Sequence, residues 1–107
     1  MTDVVDVVTV LVLRSVFEKV QRHPRYAAWL KDAKDILQEN PFSGEKVSRH
    51  LTPKVYKTKY NVIYVYRYRI PEAFRIIYIL DVNKGIPTNV WIIDFLTHKE
   101  YERLFKY

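Results

Sequence analysis

The stretch Tyr64-Val-Tyr-Arg-Tyr-Arg-Ile70, followed directly by Pro71-Glu-Ala-Phe-Arg-Ile-Ile-Tyr-Ile-Leu80, predicts two β-strands joined by a turn that contains proline. Aromatic and β-branched residues dominate both halves, and these residue types favour strands. Because residues two apart in a strand lie on the same face, Arg67 and Arg69 share one face and the tyrosines beside them share the other. With Arg75 in the second strand, we expect a hairpin with one packed side and one cationic side. If the protein has a chemical site, we expect it here.

Upstream of the hairpin, the pattern predicts one strand and two helices. Residues 3–13 are dominated by valine, whose branched β-carbon favours strands. From Arg14 the apolar residues recur at helical spacing, and this first helix should end near His23 because Pro24 follows it. Pro24 also suits the first turn of a second helix, which Asn40-Pro41 closes. The two helices form a hairpin whose apolar stripes require a sheet to cover them.

Downstream of the hairpin, the chain predicts a turn, a buried strand and a final helix. Residues 81–89 contain the turn signals, and residues 90–96 are apolar enough for a strand inside the sheet. Thr97 and Glu100 have the spacing of a capping box, so the last helix should begin at His98.

The resulting order is β-α-α-β-β-β-α, an α+β fold in a single domain that covers residues 1–107. We expect a small antiparallel sheet with the helical hairpin packed on one face and a short C-terminal helix. The arginines should lie on the open face, since antiparallel sheets commonly expose one face to water. Residues 40–53 form a loop, and residues 54–59 form either a short strand or an ordered arm.

The net charge of +6 is concentrated in one region of the chain. Residues 46–75 hold eight basic residues and a single acid, whereas the rest holds ten basic and eleven acidic residues. A basic band mixed with aromatic residues is typical of proteins that bind a polyanion, most often nucleic acid.

Composition also excludes several classes of chemistry. The chain has no cysteine, which excludes disulfides, thiolate catalysis and cysteine-based zinc sites and is compatible with the cytoplasm. With only two glycines, the chain lacks the glycine-rich loop that cradles phosphates, which excludes the nucleotide-binding folds built on that loop. The apolar run at residues 4–13 is too short to span a bilayer, so we expect no membrane partner.

Several features together resemble the RelE/ParE superfamily of toxin–antitoxin toxins. They are the helical hairpin, the Asn40-Pro41 loop with a nearby glycine, and the runs Tyr66-Arg-Tyr-Arg69, Phe74-Arg-Ile-Ile-Tyr78 and His98-Lys-Glu-Tyr101. The resemblance implies a RelE-like fold and a ribonuclease that requires neither metal nor cofactor. It also implies cleavage of mRNA in the decoding site of the ribosome and inhibition by a cognate antitoxin protein.

The resemblance further assigns residues to roles. Arg67 and Arg69 match the family's spaced basic pair, and Arg75 matches its strand arginine. Tyr101 matches the family's C-terminal tyrosine, and the remaining basic position falls on His98 or Lys99. The catalytic candidates are Arg67, Arg69, Arg75, His98 and Tyr101. The segment before the arginine pair is longer than in compact members of the superfamily and is rich in lysine. The candidates for RNA binding are Lys54, Lys57, Lys59 and Lys99.

These residue types suit cleavage of RNA without a metal. Guanidinium groups are planar, permanently charged and bidentate toward phosphate oxygens, so they can stabilise charge that develops on phosphorus. A histidine exchanges protons near neutral pH, and a tyrosine can stack on a base or donate a proton.

Other interpretations of the same residues remain open. The arginines would otherwise form a solvated strand face paired with Glu72 or Asp94, and Tyr101 would pack beside Phe105. Two other functions compete with the ribonuclease: a ParE-like toxin that poisons a topoisomerase, and an inactive RNA-binding homologue.

Overall fold

The computed structural model describes residues 8–106, which form one five-stranded mixed sheet and four α-helices. The strands are β1 (Thr9–Val12), β2 (Glu45–Lys46), β3 (Tyr66–Ile70), β4 (Phe74–Asn83) and β5 (Ile86–Leu96). The helices are α1 (Arg14–Gln21), α2 (Pro24–Glu39), α3 (Lys54–Tyr60) and α4 (His98–Phe105). The strands lie in the order β1-β5-β4-β3-β2. The α+β class is confirmed. The expected order β-α-α-β-β-β-α is wrong, because β2 and α3 lie between α2 and β3.

The expectation of a wholly antiparallel sheet is wrong, because β1 pairs with β5 in parallel. The other neighbouring strands are antiparallel. Most of the chain separates β1 from β5, so no tight turn fixes their relative direction, whereas the short connections between β3, β4 and β5 require antiparallel pairing. The first part of the predicted strand, residues 3–7, lies outside the described residues.

The helical hairpin forms as the proline pattern predicts. Pro24 occupies the first turn of α2, where its missing N–H costs no hydrogen bond. The apolar residues of both helices pack on one face of the sheet. This first cluster includes Val16, Val20, Leu30, Leu37, Ile76, Tyr78, Ile92 and Phe95.

The opposite face of the sheet is only partly open, whereas an open face was expected. Helices α3 and α4 cover part of it through a second apolar cluster, made of Val47, Tyr56, Val65, Ile77, Ile93, Leu96, Tyr101 and Phe105. Residues 54–59 therefore belong to a helix, where a short strand or an ordered arm was expected. Tyr56 fixes this helix to the sheet because its hydroxyl donates to Asp94 Oδ2 at 2.8 Å.

The turn between β4 and β5 is tighter than the turn signals predict. Strand β4 continues to Asn83 and β5 begins at Ile86, so only Lys84 and Gly85 lie between them. Both residues have positive φ, 53° and 81° respectively, as two-residue hairpin turns of type I′ require.

The capping box at the start of α4 is present as predicted. Thr97 Oγ1 accepts from the Glu100 amide at 3.2 Å, and Glu100 Oε1 accepts from the Thr97 amide at 2.9 Å. Lys19 of α1 donates to the same carboxylate at 2.9 Å and to the carbonyl of Phe95 at 2.7 Å. These contacts tie the helical hairpin to the start of the last helix.

The charge of Glu100 should make folding stability depend on pH. Burial alone would raise the pKa of Glu100, but the Thr97 amide and Lys19 outweigh it and lower that pKa from its ordinary value. A carboxyl whose pKa is lower in the folded state contributes stability above its unfolded pKa, and loses it as pH falls through the folded pKa. Glu100→Gln should therefore reduce the free energy of unfolding at pH 7. The difference should shrink as pH falls below about 4.5, the ordinary pKa, and vanish below the lowered pKa of the folded state.

Urea denaturation of both proteins across this pH range measures the effect. Glu39→Gln, at the exposed end of α2, is the matched control and should give a smaller difference. A Glu100→Gln difference that stays constant with pH would show that the charge is not responsible.

Candidate active site

The pairing of β3 with β4 brings the three arginines to one face of the sheet. Arg69 lies opposite Arg75, and Arg67 lies opposite Ile77 of the second cluster. The arginines consequently point to the face that α4 partly covers. Together with Tyr101 they line a concavity of about 260 Å³. We call these four side chains with their concavity the arginine site.

Tyr101, which lies in α4, forms one wall of the arginine site. Its side chain is buried, with 6% of the residue exposed, and its ring stacks on Phe105 at a centroid distance of 4.5 Å. The hydroxyl accepts from Arg67 Nη1 at 2.5 Å, and the Arg75 guanidinium lies 5.2 Å from the ring centroid. Packing against Phe105 thus fixes a ring that positions two of the three guanidinium groups.

Glu45 pairs with two arginines of the arginine site, and sequence reasoning missed it. Its Oε2 lies 3.2 Å from Arg67 Nη2, and its Oε1 lies 3.3 Å from Arg69 Nε. Strand β2, which carries Glu45, has only two residues, and a strand this short leaves no periodic signal. The carboxylate also lies 22 residues before Arg67, outside the basic stretch that the charge pattern defined.

The alternative ion-pair partners expected from the sequence are wrong. Glu72 pairs with Arg25 at 2.5 Å, and Asp94 accepts the hydroxyl of Tyr56. Arg67 and Arg69 pair with Glu45 instead, and Arg75 donates to the carbonyl of Phe74.

A buried tyrosine on the other face of β4 holds β2 in place. The Tyr78 hydroxyl donates to the Pro41 carbonyl at 2.7 Å and accepts from the Gly44 amide at 3.0 Å. Residue 44 must be glycine, because a Cβ atom there would lie 2.6 Å from both the Arg67 carbonyl and the Tyr78 hydroxyl. This close approach places Glu45 directly against the arginines.

The electrostatics of the arginine site favour an anion from solution. Three guanidinium groups face a single carboxylate, so the site has a net positive charge. The Arg69 side chain is 70% exposed, whereas that of Arg67 is 21% exposed. An exposed ion pair such as Arg69–Glu45 is weak, so a phosphate can take the place of the carboxylate on Arg69.

His98 does not join the arginine site. It lies in the first turn of α4 and is exposed, and its Nε2 contacts Glu102 Oε1 one turn later. Lys99 is likewise exposed on the same turn.

The lysines of α3 lie apart from the arginine site. Lys54 and Lys57 line a separate groove of about 580 Å³ between α3 and the end of α4. Lys59 lies near a third concavity, with its ammonium 5.5 Å from the ring of Tyr60. A larger cavity of about 650 Å³ lies between α1 and α2, but it holds no cluster of catalytic side chains.

Comparisons of the chain with known protein families, with characterised proteins and with solved structures find no match. Within residues 8–106, no three His, Asp or Glu side chains are grouped to hold a metal ion. No helix in that range has the length and apolar character to cross a membrane.

Removal of the Tyr78 hydroxyl should destabilise the fold. In Tyr78→Phe the Pro41 carbonyl and the Gly44 amide lose their partner, and an unsatisfied buried group costs about 1–3 kcal/mol. Chemical denaturation measures the loss. Tyr68→Phe, on the neighbouring strand and partly exposed, is the control and should cost less. Equal effects would show that the hydroxyl does not anchor the loop.

Proposed function

We propose that the protein is a metal-independent endoribonuclease, the toxin of a toxin–antitoxin pair, that cleaves mRNA by attack of a 2′-hydroxyl on the adjacent phosphate. One observation carries the proposal: three guanidinium groups and a tyrosine line a single concavity, and a carboxylate pairs with two of those guanidinium groups. This set contains the groups that the reaction needs.

The arginines bind the phosphate that is cleaved. Arg67 and Arg75 are oriented by Tyr101, and Arg69 lies opposite Arg75 on the same face. Guanidinium groups form paired, charge-assisted hydrogen bonds with phosphate oxygens. As the 2′-oxygen attacks, negative charge increases on the equatorial oxygens, and fixed cations stabilise that charge more than they stabilise the starting phosphate.

Glu45 and Tyr101 are the groups for proton transfer. Glu45 accepts the proton of the 2′-hydroxyl while the O2′–P bond forms. Tyr101 donates its proton to the 5′-oxygen as the P–O5′ bond breaks, and Arg67 stabilises the resulting phenolate. The products are a 2′,3′-cyclic phosphate and a 5′-hydroxyl. Tyr101 suits the second role better than His98, which contacts Glu102 outside the arginine site.

The biological setting of the proposal rests on the resemblance to the RelE/ParE superfamily. It comprises mRNA as the RNA, the ribosome as the place of cleavage, a cytoplasmic location and a cognate antitoxin. An antitoxin that covers the arginine site would exclude the RNA phosphate and inhibit the protein.

A second candidate function is RNA binding without cleavage. Glu45 already makes two contacts with arginines, and His98 is turned toward Glu102. If the arginines hold Glu45 in this state when RNA is bound, the site retains phosphate affinity but lacks a proton acceptor.

Arg75→Ala should strongly reduce toxicity and cleavage. The rate of mRNA cleavage should fall roughly 10²- to 10³-fold, because one preorganised cation is lost. Induced expression, growth curves and mapping of mRNA 5′ ends measure both effects. Arg103→Ala, an exposed arginine of α4, is the matched control and should behave as wild type.

The remaining outcomes separate the competing functions. Growth arrest with intact mRNA would contradict the ribonuclease and favour a ParE-like action. RNA binding without arrest or cleavage would favour the second candidate.

Glu45→Gln should separate cleavage from binding. Without its proton acceptor the protein should cleave about 10²- to 10⁴-fold more slowly, while its affinity for a non-cleavable RNA stays equal or increases, since one negative charge leaves the site. Single-turnover cleavage and fluorescence anisotropy measure the two quantities. Glu39→Gln is the control. An unchanged cleavage rate would show that Glu45 only positions the arginines.

A further inference from the structure

A second group of side chains lies on the opposite side of the same sheet edge. Lys46 pairs with Tyr66 across β2 and β3, next to the pairing of Glu45 with Arg67. Successive residues of a strand point to opposite faces, so Lys46 and Tyr66 face away from the arginine site. The group, here called the edge patch, consists of Phe42, Lys46, Tyr64 and Tyr66.

The aromatic rings of the edge patch contact one another. Tyr66 stacks on the buried Tyr78, with ring centroids 5.2 Å apart and an interplanar angle of 20°. Phe42 and Tyr64 lie at 6.3 Å and 5.9 Å from Tyr66, and the Lys46 ammonium is 3.9 Å from the Tyr64 ring centroid. The patch therefore rests on the rigid core of the sheet.

Core packing does not account for the position of Phe42. The residue is 54% exposed, although the loop that carries it is fixed on both sides. Its amide donates to Asn40 Oδ1 at 3.0 Å, and Tyr78 holds Pro41 and Gly44 on either side of it. A fixed loop thus presents an aromatic ring to solvent near the ring of Tyr66.

We propose that the edge patch is a base-stacking subsite for the same RNA strand whose phosphate occupies the arginine site. This inference rests on the proposed function and adds a substrate contact to it. Proteins bind single-stranded nucleic acid by combining cations that contact phosphates with aromatic rings on which bases stack. The edge patch offers both.

The geometry of β2 favours RNA over a protein partner as the occupant. Glu45 and Lys46 are consecutive, and β2 is the last strand at this edge of the described sheet. A strand of RNA that crosses this edge contacts the arginine site through a phosphate and the edge patch through a base. The charged member of the patch is a cation, which complements the RNA backbone.

The test replaces the exposed ring with an aliphatic side chain and compares two probes. The first is a short single-stranded oligoadenylate with 2′-O-methyl sugars, which cannot be cleaved, and the second is inorganic polyphosphate, which has charge but no bases. In Phe42→Leu, affinity for the oligoadenylate should fall at least about fivefold, the lower limit for loss of one base–aromatic stack. Affinity for polyphosphate should not change.

Two further variants make the result specific to the ring. Phe17→Leu is the matched control, because Phe17 is 55% exposed on α1, and it should bind both probes as wild type does. Phe42→Trp keeps a ring at the position and should restore affinity for the oligoadenylate.

Each outcome decides one of the two proposals. Unchanged oligoadenylate affinity in Phe42→Leu, with affinity reduced in Arg75→Ala, overturns the edge patch and leaves the arginine site as an RNA site. An equal loss for both probes in Phe42→Leu also overturns base stacking. If the wild-type protein binds neither probe and cleaves no RNA, the proposed function itself fails.

Discussion

The buried hydroxyl of Tyr78 is the contact on which both faces of the proposed site depend. Burial is the main cause that raises the pKa of Tyr78 to about 12, so its hydroxyl stays protonated. The hydroxyl donates to the Pro41 carbonyl and accepts from the Gly44 amide. These two hydrogen bonds fix the loop between α2 and β2. Strand β2 follows at once, with Glu45 on one face and Lys46 on the other. A single core side chain therefore positions a carboxylate and an aromatic patch on opposite faces of the sheet.

Three guanidinium groups on one sheet face repel one another, and two shared partners, Glu45 and Tyr101, offset this repulsion. Arg67 contacts both Tyr101 and Glu45, Arg69 contacts Glu45, and Arg75 lies near the ring of Tyr101. The concave shape arises because α4 covers only part of this face. An anion that enters meets cations already in place, so little reorganisation of the protein is needed to bind it.

Local signals predicted much of the fold correctly. Proline placed the start of α2, alternation placed β3 and most of β4, and the pair Thr97–Glu100 placed the start of α4. Each of these features depends on residues close in sequence. The helix at residues 54–60 escaped prediction because its one buried residue, Tyr56, is fixed by Asp94, which is 38 residues away.

The sequence by itself determined the cationic hairpin, the alternation that gives Arg67 and Arg69 a common face, and the capped helix that carries Tyr101. These follow from the two-residue period of strands and from local capping chemistry. Only the tertiary structure decided the parallel pairing of β1 with β5, the partial cover over the second face and the pairing of Glu45 with Arg67 and Arg69. Those depend on contacts between residues far apart in the chain, which no local pattern encodes.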